Sequence, residues 1–547
     1  PSFSLLLTPS HSFSKDSVRC VKKLASAFGD FEARHPRFLD LCRSLSMRFE
    51  TVFRPSLVLS GGLACLLLVA GCSVSNPDPR QEMTDLAPTE GWDSGGDTGE
   101  VADDWLEAFD SPVLIELVNE AQLANPNLAA TAAAFAAAVS QAKQANAPIY
   151  PALDLGVGAS QTHRFELTEE DQLLQLEKNQ TTLGVDLALS WELDVWGRVS
   201  DSARSAALSA AASAADYAFA RQSLAAQVAK GWFLALTNKL QFELANQFVA
   251  NFDEALRIAE ARFNAGEVSA QDVYSARADA ANARQASQEA LYATRAAIRS
   301  LEVLLGRYPA ADLSLADSLK VDLPPVPAGL PSTLLERRPD LIAADRTVAA
   351  SFYFAKSAAA ARLPQFSLSA NFSSSAENFG DLFDASSMLT NLGINLFQPL
   401  FDAGLRKAQF EEAEANQMIA VAQYKQTALQ AFQEVEDTLS LEASLKEQIV
   451  QLTTASESYQ KAAEIAEISY KEGETDMTTL LVAQRQSLNA QSSLIDSRGS
   501  LLTNRVDLYL SLGGNFEAGP INDSPAPPPL PSQKDDSSQK SDSSTQP

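Results

Sequence analysis

The sequence has few of the residues that build catalytic and metal centres. Its 547 residues include only three histidines and four cysteines. So few imidazole and thiol groups leave little material for a metal site or a disulfide framework. Basic residues are also scarce, since 42 lysines and arginines accompany 69 aspartates and glutamates, for a formal net charge of −27. This acidic balance argues against a nucleic-acid-binding protein, which needs a basic face.

Long hydrophobic runs are equally rare. Only residues 57–70 are apolar enough to be considered for a membrane helix, and that run is short for a full span. If the chain crosses a membrane elsewhere, it must do so as a closed barrel, because lipid cannot satisfy the open edges of a sheet. Hydrophobic residues nevertheless make up 46% of the chain, so a buried core is possible and wholesale disorder is excluded.

The apolar run belongs to a segment organised like a secretory signal peptide. Residues 47–72 begin with methionine, carry two arginines before or beside the apolar run, and end in Val-Ala-Gly-Cys. This ending resembles a bacterial lipobox, so we expect Cys72 to be acylated and to become the mature N-terminus. Ser73 stands where aspartate favours inner-membrane retention, which indicates the outer membrane. The alternative is a short buried helix with an inert cysteine. Residues 1–46 are interpreted as an over-extended gene start or a fragment.

The rest of the chain is an internal duplication. Gly266 and Gly473 lie 207 positions apart in similar sequences, RFNAGE and SYKEGE. Asn-Pro at Pro126 and Arg-Pro at Pro339 lie 213 positions apart, and further matches follow in the same order. Ordered matches at a nearly constant offset indicate two copies of one unit. Because the offset changes mostly within residues 151–184, we expect an exposed loop there in the first copy.

Each copy predicts the same order of elements: a helix, two strands and a very long helical region. The helices are expected at about 111–147 and 331–361, the strands at 153–157, 183–191, 366–372 and 392–397, and the long regions at 198–305 and 404–512. The long regions contain no proline and are interrupted only near Gly266 and Gly473. Period-two alternation places apolar side chains on one face of the strands, which suits a wall between lipid and water, although a soluble hairpin has the same pattern.

Four local matches make the chain resemble the TolC-like outer-membrane efflux channel family, especially its lipoprotein branch typified by OprM. Residues 105–114 (WLEAFDSPVL), followed by Asn-Pro-Asn-Leu at 125–128, resemble the family's N-terminal signature. Residues 262–278 and 470–485 resemble the turns between the two pairs of long helices. The duplication and the lipobox are also family traits. The resemblance covers residues 101–516.

The resemblance implies a mixed α+β membrane protein with internal structural duplication. Each of three subunits would give four strands to one shared twelve-stranded β-barrel, and the long helices would form an α-helical coiled-coil tunnel. Four strands from one chain leave open edges, so the physics of the bilayer supports completion of the barrel by other subunits. The predicted parts are residues 1–46 (extended start or fragment), 47–72 (lipoprotein signal peptide), 73–104 (polar linker), 105–318 (first repeat), 319–330 (proline-rich linker), 331–516 (second repeat) and 517–547 (disordered tail).

The function implied by the resemblance is a passive exit duct of a tripartite efflux pump, carrying drugs or other small toxic compounds across the periplasm and outer membrane. Its partners would be two further copies in a homotrimer, a periplasmic adaptor, an inner-membrane resistance-nodulation-division-type transporter and outer-membrane lipid, without nucleic acid. The mature chain keeps one histidine, His163, so we expect no enzyme and no cofactor beyond the lipid on Cys72. The alternatives are a channel for type I protein or peptide secretion, and a non-channel coiled-coil lipoprotein, against which the alternating segments argue.

The resemblance also places a periplasmic gate beside the two helix turns. Its residues would be Asp272, Tyr470, Thr475, Asp476 and Thr478, next to the helix-turn glycines Gly266 and Gly473. Asp272 and Tyr470 match two members of the family's closing network, and a phenol can donate a hydrogen bond to a carboxylate. Thr475 departs from the family, which carries a gating arginine there. Asp476 and Thr478 are expected to line the constriction, where Asp476 would favour cations. The alternative for Asp272 is a helix cap.

Overall fold

In the computed structural model, the described residues are 78–86, 91–96, 99, 105–163, 179–320 and 323–514. The signal segment with Cys72, the expected start at 1–46 and the expected tail at 517–547 lie outside them. Most of the loop expected between the first two strands, residues 164–178, also lies outside.

The described residues form nine α-helices and four β-strands. The helices are α1 (Pro79–Leu86), α2 (Pro112–Ala124), α3 (Pro126–Asn146), α4 (Arg198–Asn264), α5 (Ala270–Leu304), α6 (Pro331–Arg337), α7 (Pro339–Ala360), α8 (Leu405–Glu472) and α9 (Met477–Ser511). The strands are β1 (Ala152–His163), β2 (Asn179–Leu193), β3 (Gln365–Ala376) and β4 (Met388–Phe397). Short 3₁₀ turns lie at Trp105–Phe109, Ala147–Ile149 and Phe379–Phe383.

The two copies have the same architecture. The order α2–α3–β1–β2–α4–α5 in the first copy is repeated as α6–α7–β3–β4–α8–α9 in the second. The helices α4 and α8 contain 67 and 68 residues, so each extends about 100 Å at 1.5 Å per residue. The predicted duplication, the long helices and the four strands of one subunit are therefore confirmed.

The single helix expected at the start of each copy is wrong, because each divides in two at a proline. Asn125 and Arg338 precede Pro126 and Pro339 and have extended ψ angles of 121° and 124°. A proline ring clashes with a helical conformation of the preceding residue, so the helix ends there and a new one begins at the proline. Asn125 also caps the new helix, since its side chain accepts from the N–H of Leu128 at 3.0 Å.

The residue before each proline also joins the beginning of its copy to the end. Asn125 Nδ2 donates to the carbonyl of Leu304, near the end of α5, at 2.9 Å. In the second copy, Arg338 Nη1 donates to the carbonyl of Ser511, at the end of α9, at 3.2 Å. Both side chains are buried. They satisfy carbonyls that a helix end leaves without an intrahelical partner.

The strands form one antiparallel sheet in the order β1-β2-β3-β4. The copies meet in the middle of the sheet, where β2 pairs with β3 and Leu187 lies opposite Phe372. β1 and β4 are its two edges, so neither has a partner on its outer side within the described chain.

Two large apolar clusters hold the helices together, and a third, formed by Ala235, Ala297 and Ile298, is much smaller. The largest lies near the middle of the long helices, where Trp105 stacks on Tyr509 with ring centroids 5.7 Å apart. The second lies toward the helix turns and contains Phe252 of α4, Tyr470 of α8 and Leu480 of α9. Both large clusters combine side chains of the two copies, so the copies share their cores. No helix among the described residues is long and apolar enough to cross a bilayer.

Candidate functional site

The sheet has one apolar and one polar face, and the apolar face is exposed. In the register, Leu155 lies opposite Leu187, and Leu368 lies opposite Ile394. The apolar face is formed by Leu153, Leu155, Val157, Val185, Leu187, Leu189, Trp191, Phe366, Leu368, Phe372, Leu392, Ile394 and Leu396. Val157 and Ile394 are each 77% exposed. Apolar surface this extensive marks an interaction site or a membrane-facing surface.

The opposite face of the sheet carries short polar side chains. Asp186 of β2 lies on it, with Ser369 and Asn371 of β3 and Asn395 of β4. None of the four strands contains a lysine or arginine. Alternation of lipid-facing and water-facing residues along each strand is the pattern of an outer-membrane wall.

Aromatic side chains mark the end of the sheet that adjoins the long helices. Trp191 Nε1 donates to the carbonyl of Ile149 at 2.9 Å, and Trp196 Nε1 donates to the carbonyl of Pro364 at 2.7 Å. Phe401, in the corresponding turn of the second copy, is 90% exposed. Tryptophan and other aromatic residues concentrate where a bilayer meets water. This end therefore has the composition of a membrane interface.

The two helix turns lie at the other end of the long helices and have matching backbones. Gly266 and Gly473 have φ angles of 79° and 81°, in the left-handed region that favours glycine. The N–H of the next residue, Glu267 or Glu474, donates to the carbonyl five positions earlier at 2.9 or 2.8 Å. This is the usual way to end a helix with glycine, so both predicted turn glycines lie where the sequence placed them.

The helix that follows each turn begins with a different cap. In α5, Asp272 and Ser269 form a capping box, in which each side chain accepts from the backbone N–H of the other residue. In α9, Asp476 is the N-cap, and its carboxylate accepts from the N–H of Thr479 at 2.7 Å. This hydrogen bond holds the pKa of Asp476 below its ordinary value. Thr478 lies exposed in the first turn of α9.

A cleft of about 520 Å³ lies between the two turns. It is lined by Arg262, Glu267, Val268, Ser269, Asp272, Tyr470, Gly473, Glu474, Thr475, Asp476 and Met477. Asp272, Tyr470, Thr475 and Asp476 are thus brought together, whereas Thr478 and Gly266 are outside the lining. The cleft combines four carboxylates with one guanidinium. Within the described part of the chain, no group of three or more histidine, cysteine, aspartate or glutamate side chains could hold a metal ion.

The expected hydrogen bond from Tyr470 to Asp272 is absent from this structure. Tyr470 is 1% exposed, and its hydroxyl has no hydrogen-bond partner among the described residues. Burial raises the pKa of the phenol above its ordinary value. One oxygen of Asp272, Oδ2, instead accepts from the backbone N–H and the hydroxyl of Ser269, both at 3.0 Å. Asp272 therefore acts as a helix cap here, which was the alternative interpretation.

Arg262 contacts Tyr470 and was not among the predicted site residues. Its Nη1 donates to the backbone carbonyl of Tyr470 at 2.7 Å, and its guanidinium carbon lies 5.0 Å from the centre of the tyrosine ring. Its Nε donates to Glu267 at 3.1 Å. Arg262 belongs to the RFNAG sequence, but its partner lies 208 positions away, and no local pattern indicates so distant a contact.

Comparison with known proteins identifies the family. The model of the family described as "Outer membrane efflux protein" matches residues 117–307 and 330–514, which together make up more than half of the chain. The chain belongs to the outer membrane efflux protein family. It is therefore an efflux channel of the outer membrane with a periplasmic helical tunnel, and the resemblance to TolC-like channels is confirmed. Members of this family are channels rather than enzymes.

Individual members of the family match over nearly their whole length. The toluene efflux pump outer membrane protein TtgC of Pseudomonas putida is 30% identical over 82% of this chain and 94% of that protein. The pyoverdine export outer membrane protein OpmQ of Pseudomonas aeruginosa is 32% identical over 83% of this chain and 96% of that protein. Among solved structures, the outer-membrane channel OprN has a TM-score of 0.72 and 27% identity, covering 81% of this chain and 99% of that one.

Proposed function

We propose that three copies of this chain close their sheets into one twelve-stranded barrel, which forms the outer-membrane part of an efflux duct. The observation that carries this proposal is the four-stranded sheet, with its exposed apolar face and its unpaired edges β1 and β4. An open sheet edge cannot lie in lipid, because its N–H and C=O groups would have no partners. Pairing of β1 with β4 of the next copy satisfies both edges.

The duct conducts small compounds passively, as the outer component of a pump with a periplasmic adaptor and an inner-membrane resistance-nodulation-division-type transporter. The transporter supplies the energy. The names of the relatives favour small molecules over polypeptides, since TtgC is named for toluene and OpmQ for pyoverdine. The helix turns form the entrance of the tunnel, because they lie at the ends of α4 and α8 that are remote from the sheet.

Two finer features complete the proposal. Cys72 carries a lipid that anchors the mature chain in addition to the barrel. Thr475, Asp476 and Thr478 line the entrance, where three copies of Asp476 present a ring of negative charge. Exposure of Asp476 and Thr478 at the start of α9 supports this placement.

The proposal is tested with the purified full chain. A trimer that resists dissociation on gels until it is boiled, and that conducts ions in planar bilayers, is the expected result. Deletion of the gene should sensitise cells to compounds that the pump removes, and the wild-type gene should restore resistance. A monomer that carries no current would overturn the proposal.

Orientation is tested separately by an epitope tag in the loop between β3 and β4, at residues 377–387. We expect antibody to reach the tag on intact cells, because the loop lies at the end of the sheet opposite the long helices. A tag that antibody reaches only after permeabilisation would reverse the orientation.

A further inference from the structure

The two helical hairpins of one protomer, α4–α5 and α8–α9, are joined by polar contacts along α4. Lys230 of α4 pairs with Asp507 of α9 at 2.8 Å, and Gln241 donates to Asp496 of α9 at 2.8 Å. Arg262 makes the last polar contact of α4 with the second hairpin, at Tyr470. Between them the hairpins share apolar packing, and Arg485 of α9 pairs with Asp279 of α5 at 3.6 Å. Arg262 lies 21 residues beyond Gln241, which is about 30 Å along a helix. If the hairpins separate at the entrance, this terminal contact undergoes the largest displacement.

Arg262 is held by three groups at once. It donates to the carbonyl of Tyr470 and to the carboxylate of Glu267, and its guanidinium lies over the tyrosine ring. Its side chain is 22% exposed. The carbonyl belongs to the last turn of α8, where the helix dipole favours a positive charge. A planar guanidinium can make two hydrogen bonds and a ring contact together, whereas an ammonium group cannot do so with the same geometry.

The second turn leaves room for this guanidinium. A Cβ atom added to Gly473 would lie 3.3 Å from Nη2 of Arg262, whereas one added to Gly266 would meet nothing within 4 Å. The position that corresponds to Arg262 in the second copy is Ser469, whose hydroxyl lies 3.4 Å from Glu474. Both turns thus contain the glycine and the glutamate that follows it. At the compared position, however, the first copy has arginine and the second has serine.

We propose that Arg262 is a positioning residue of the entrance, which ties the second helix turn to the first within each protomer and so favours the closed tunnel. This inference rests on the proposed function, because it assigns a role at the entrance of the duct. The contacts that carry this proposal are those of Arg262 with the backbone carbonyl and the ring of Tyr470. The hydrogen bond from the charged guanidinium of Arg262 to the carbonyl of Tyr470 is stronger than a bond between two neutral groups.

The test records single-channel currents of reconstituted trimers that carry Arg262→Gln or Arg277→Gln, and compares both the conductance and the fraction of time that the channel is open. Arg277 is a matched control, because it also bridges a glutamate, Glu260, at 2.9 Å and lies over a tyrosine ring, Tyr274, at 5.6 Å. All three of these residues belong to the first hairpin. Both substitutions remove one positive charge near the entrance, but only Arg262→Gln removes a contact between hairpins.

We expect Arg262→Gln to raise the open population about tenfold or more, as removal of a hydrogen bond to a charged group does. Arg277→Gln should change it much less, and Arg262→Lys should lie between wild type and Arg262→Gln. Equal effects of Arg262→Gln and Arg277→Gln would assign the change to net charge and overturn the proposal. So would failure of both Arg262 variants to form trimers where Arg277→Gln forms them, since Arg262 would then be a folding residue.

Tyr470→Phe distinguishes the tie to Arg262 from a hydroxyl–carboxylate pair with Asp272. It removes only the hydroxyl, so its effect should be far smaller than that of Arg262→Gln. A Tyr470→Phe channel that opens as much as Arg262→Gln, or more, would overturn the proposal in favour of Asp272. A conducting wild-type trimer with unchanged Arg262→Gln conductance would refute the role of Arg262 alone. A wild-type chain without trimers or current would refute the proposed function instead.

A pair of glycine substitutions gives a second readout. Gly473→Ala and Gly266→Ala introduce the same methyl group at nearly equal φ angles. Only Gly473→Ala places that methyl against Arg262. We therefore expect Gly473→Ala to increase conductance more than Gly266→Ala, at similar thermal stability. Equal conductance of the two variants would overturn the proposed role of Arg262 at the entrance.

Discussion

Gly306 follows α5 at the point where the first copy closes on itself, and we expect Gly306→Ala to be markedly destabilising. A Cβ atom built on Gly306 would lie 2.6 Å from the backbone carbonyl oxygen of Ala124. Gly306 has a φ of 72°, close to the 79° of Gly266. Gly266→Ala is therefore a matched control, because it adds the same methyl group at a similar backbone angle but in open space.

The expected magnitudes follow from two separable costs. A non-glycine residue in the left-handed region costs about 1–2 kcal/mol, and both variants carry this cost. Forcing an extra methyl group into a packed site costs about 1–3 kcal/mol more, and only Gly306→Ala carries it. The carbonyl of Ala124 cannot retreat cheaply, because the adjacent Asn125 donates to Leu304 and caps α3. The total is about 2–5 kcal/mol for Gly306→Ala and about 1–2 kcal/mol for Gly266→Ala.

The assay is the thermal loss of helical circular dichroism of the purified trimer in detergent. Gly306→Ala should have a clearly lower midpoint than Gly266→Ala, which should itself fall only slightly below wild type. Gly513, the counterpart of Gly306, has its nearest atoms at 3.2 Å, so Gly513→Ala should fall between them. Indistinguishable midpoints for Gly306→Ala and Gly266→Ala would refute the packing argument.

Three further predictions follow from single contacts. Asp476→Asn should keep α9 capped, because asparagine caps as well as aspartate, and should lower the cation preference measured from reversal potentials. Because the folded pKa of Asp476 is lowered, its charge stabilises the fold above the ordinary pKa of about 4, and this stabilisation is lost as pH falls through the folded pKa. The thermal midpoint of Asp476→Asn should therefore fall less on acidification than that of the wild type. Cys72→Ala should abolish labelling with radioactive palmitate, and persistent label would mean that acylation occurs elsewhere. Glu442→Met should lower the free energy of unfolding by about 3–5 kcal/mol, because it leaves the guanidinium of Arg505 buried without a carboxylate partner. In the wild type, Glu442 accepts from this guanidinium at 2.7 and 2.8 Å. Adding Arg505→Met should recover most of the lost thermal stability, and no recovery would contradict this account.

Much of the fold was predictable because its signals are local. Gly266 and Gly473 end helices in the left-handed region, and the alternating strands repeat with a period of two, so both features can be read from neighbouring residues. The helix breaks at Asn125 and Arg338 were also readable, since a proline restricts the residue before it. A single helix was nevertheless expected across each proline, because the first turn of a helix tolerates proline. The register that joins β2 to β3 depends on pairing between distant segments, and no local signal specifies it.

The candidate site was only partly predictable for the same reason. The spacing Ser269-x-x-Asp272 is a capping-box pattern that was visible in the sequence, and it explains the carboxylate better than a partner on the other hairpin does. Arg262 could not have been found in this way. Its contact depends on the approach of two turns that are separated by more than two hundred residues.

The helix turns, whose sequences are similar enough to reveal the duplication, still differ in the surroundings of their side chains. The backbones of the turns match, but Phe263 in the first is 44% exposed, and its counterpart Tyr470 in the second is 1% exposed, with Arg262 lying over its ring. Arg262 corresponds to Ser469, whose short side chain cannot reach another hairpin. The guanidinium belongs to the first turn and its partner belongs to the second turn of the same chain. The two turns are therefore not equivalent in this contact. In the proposed trimer, six similar turns would come together, and each protomer would contain one of these contacts. The seams between protomers would then close by other interactions, and the two kinds of seam at the entrance need not open together.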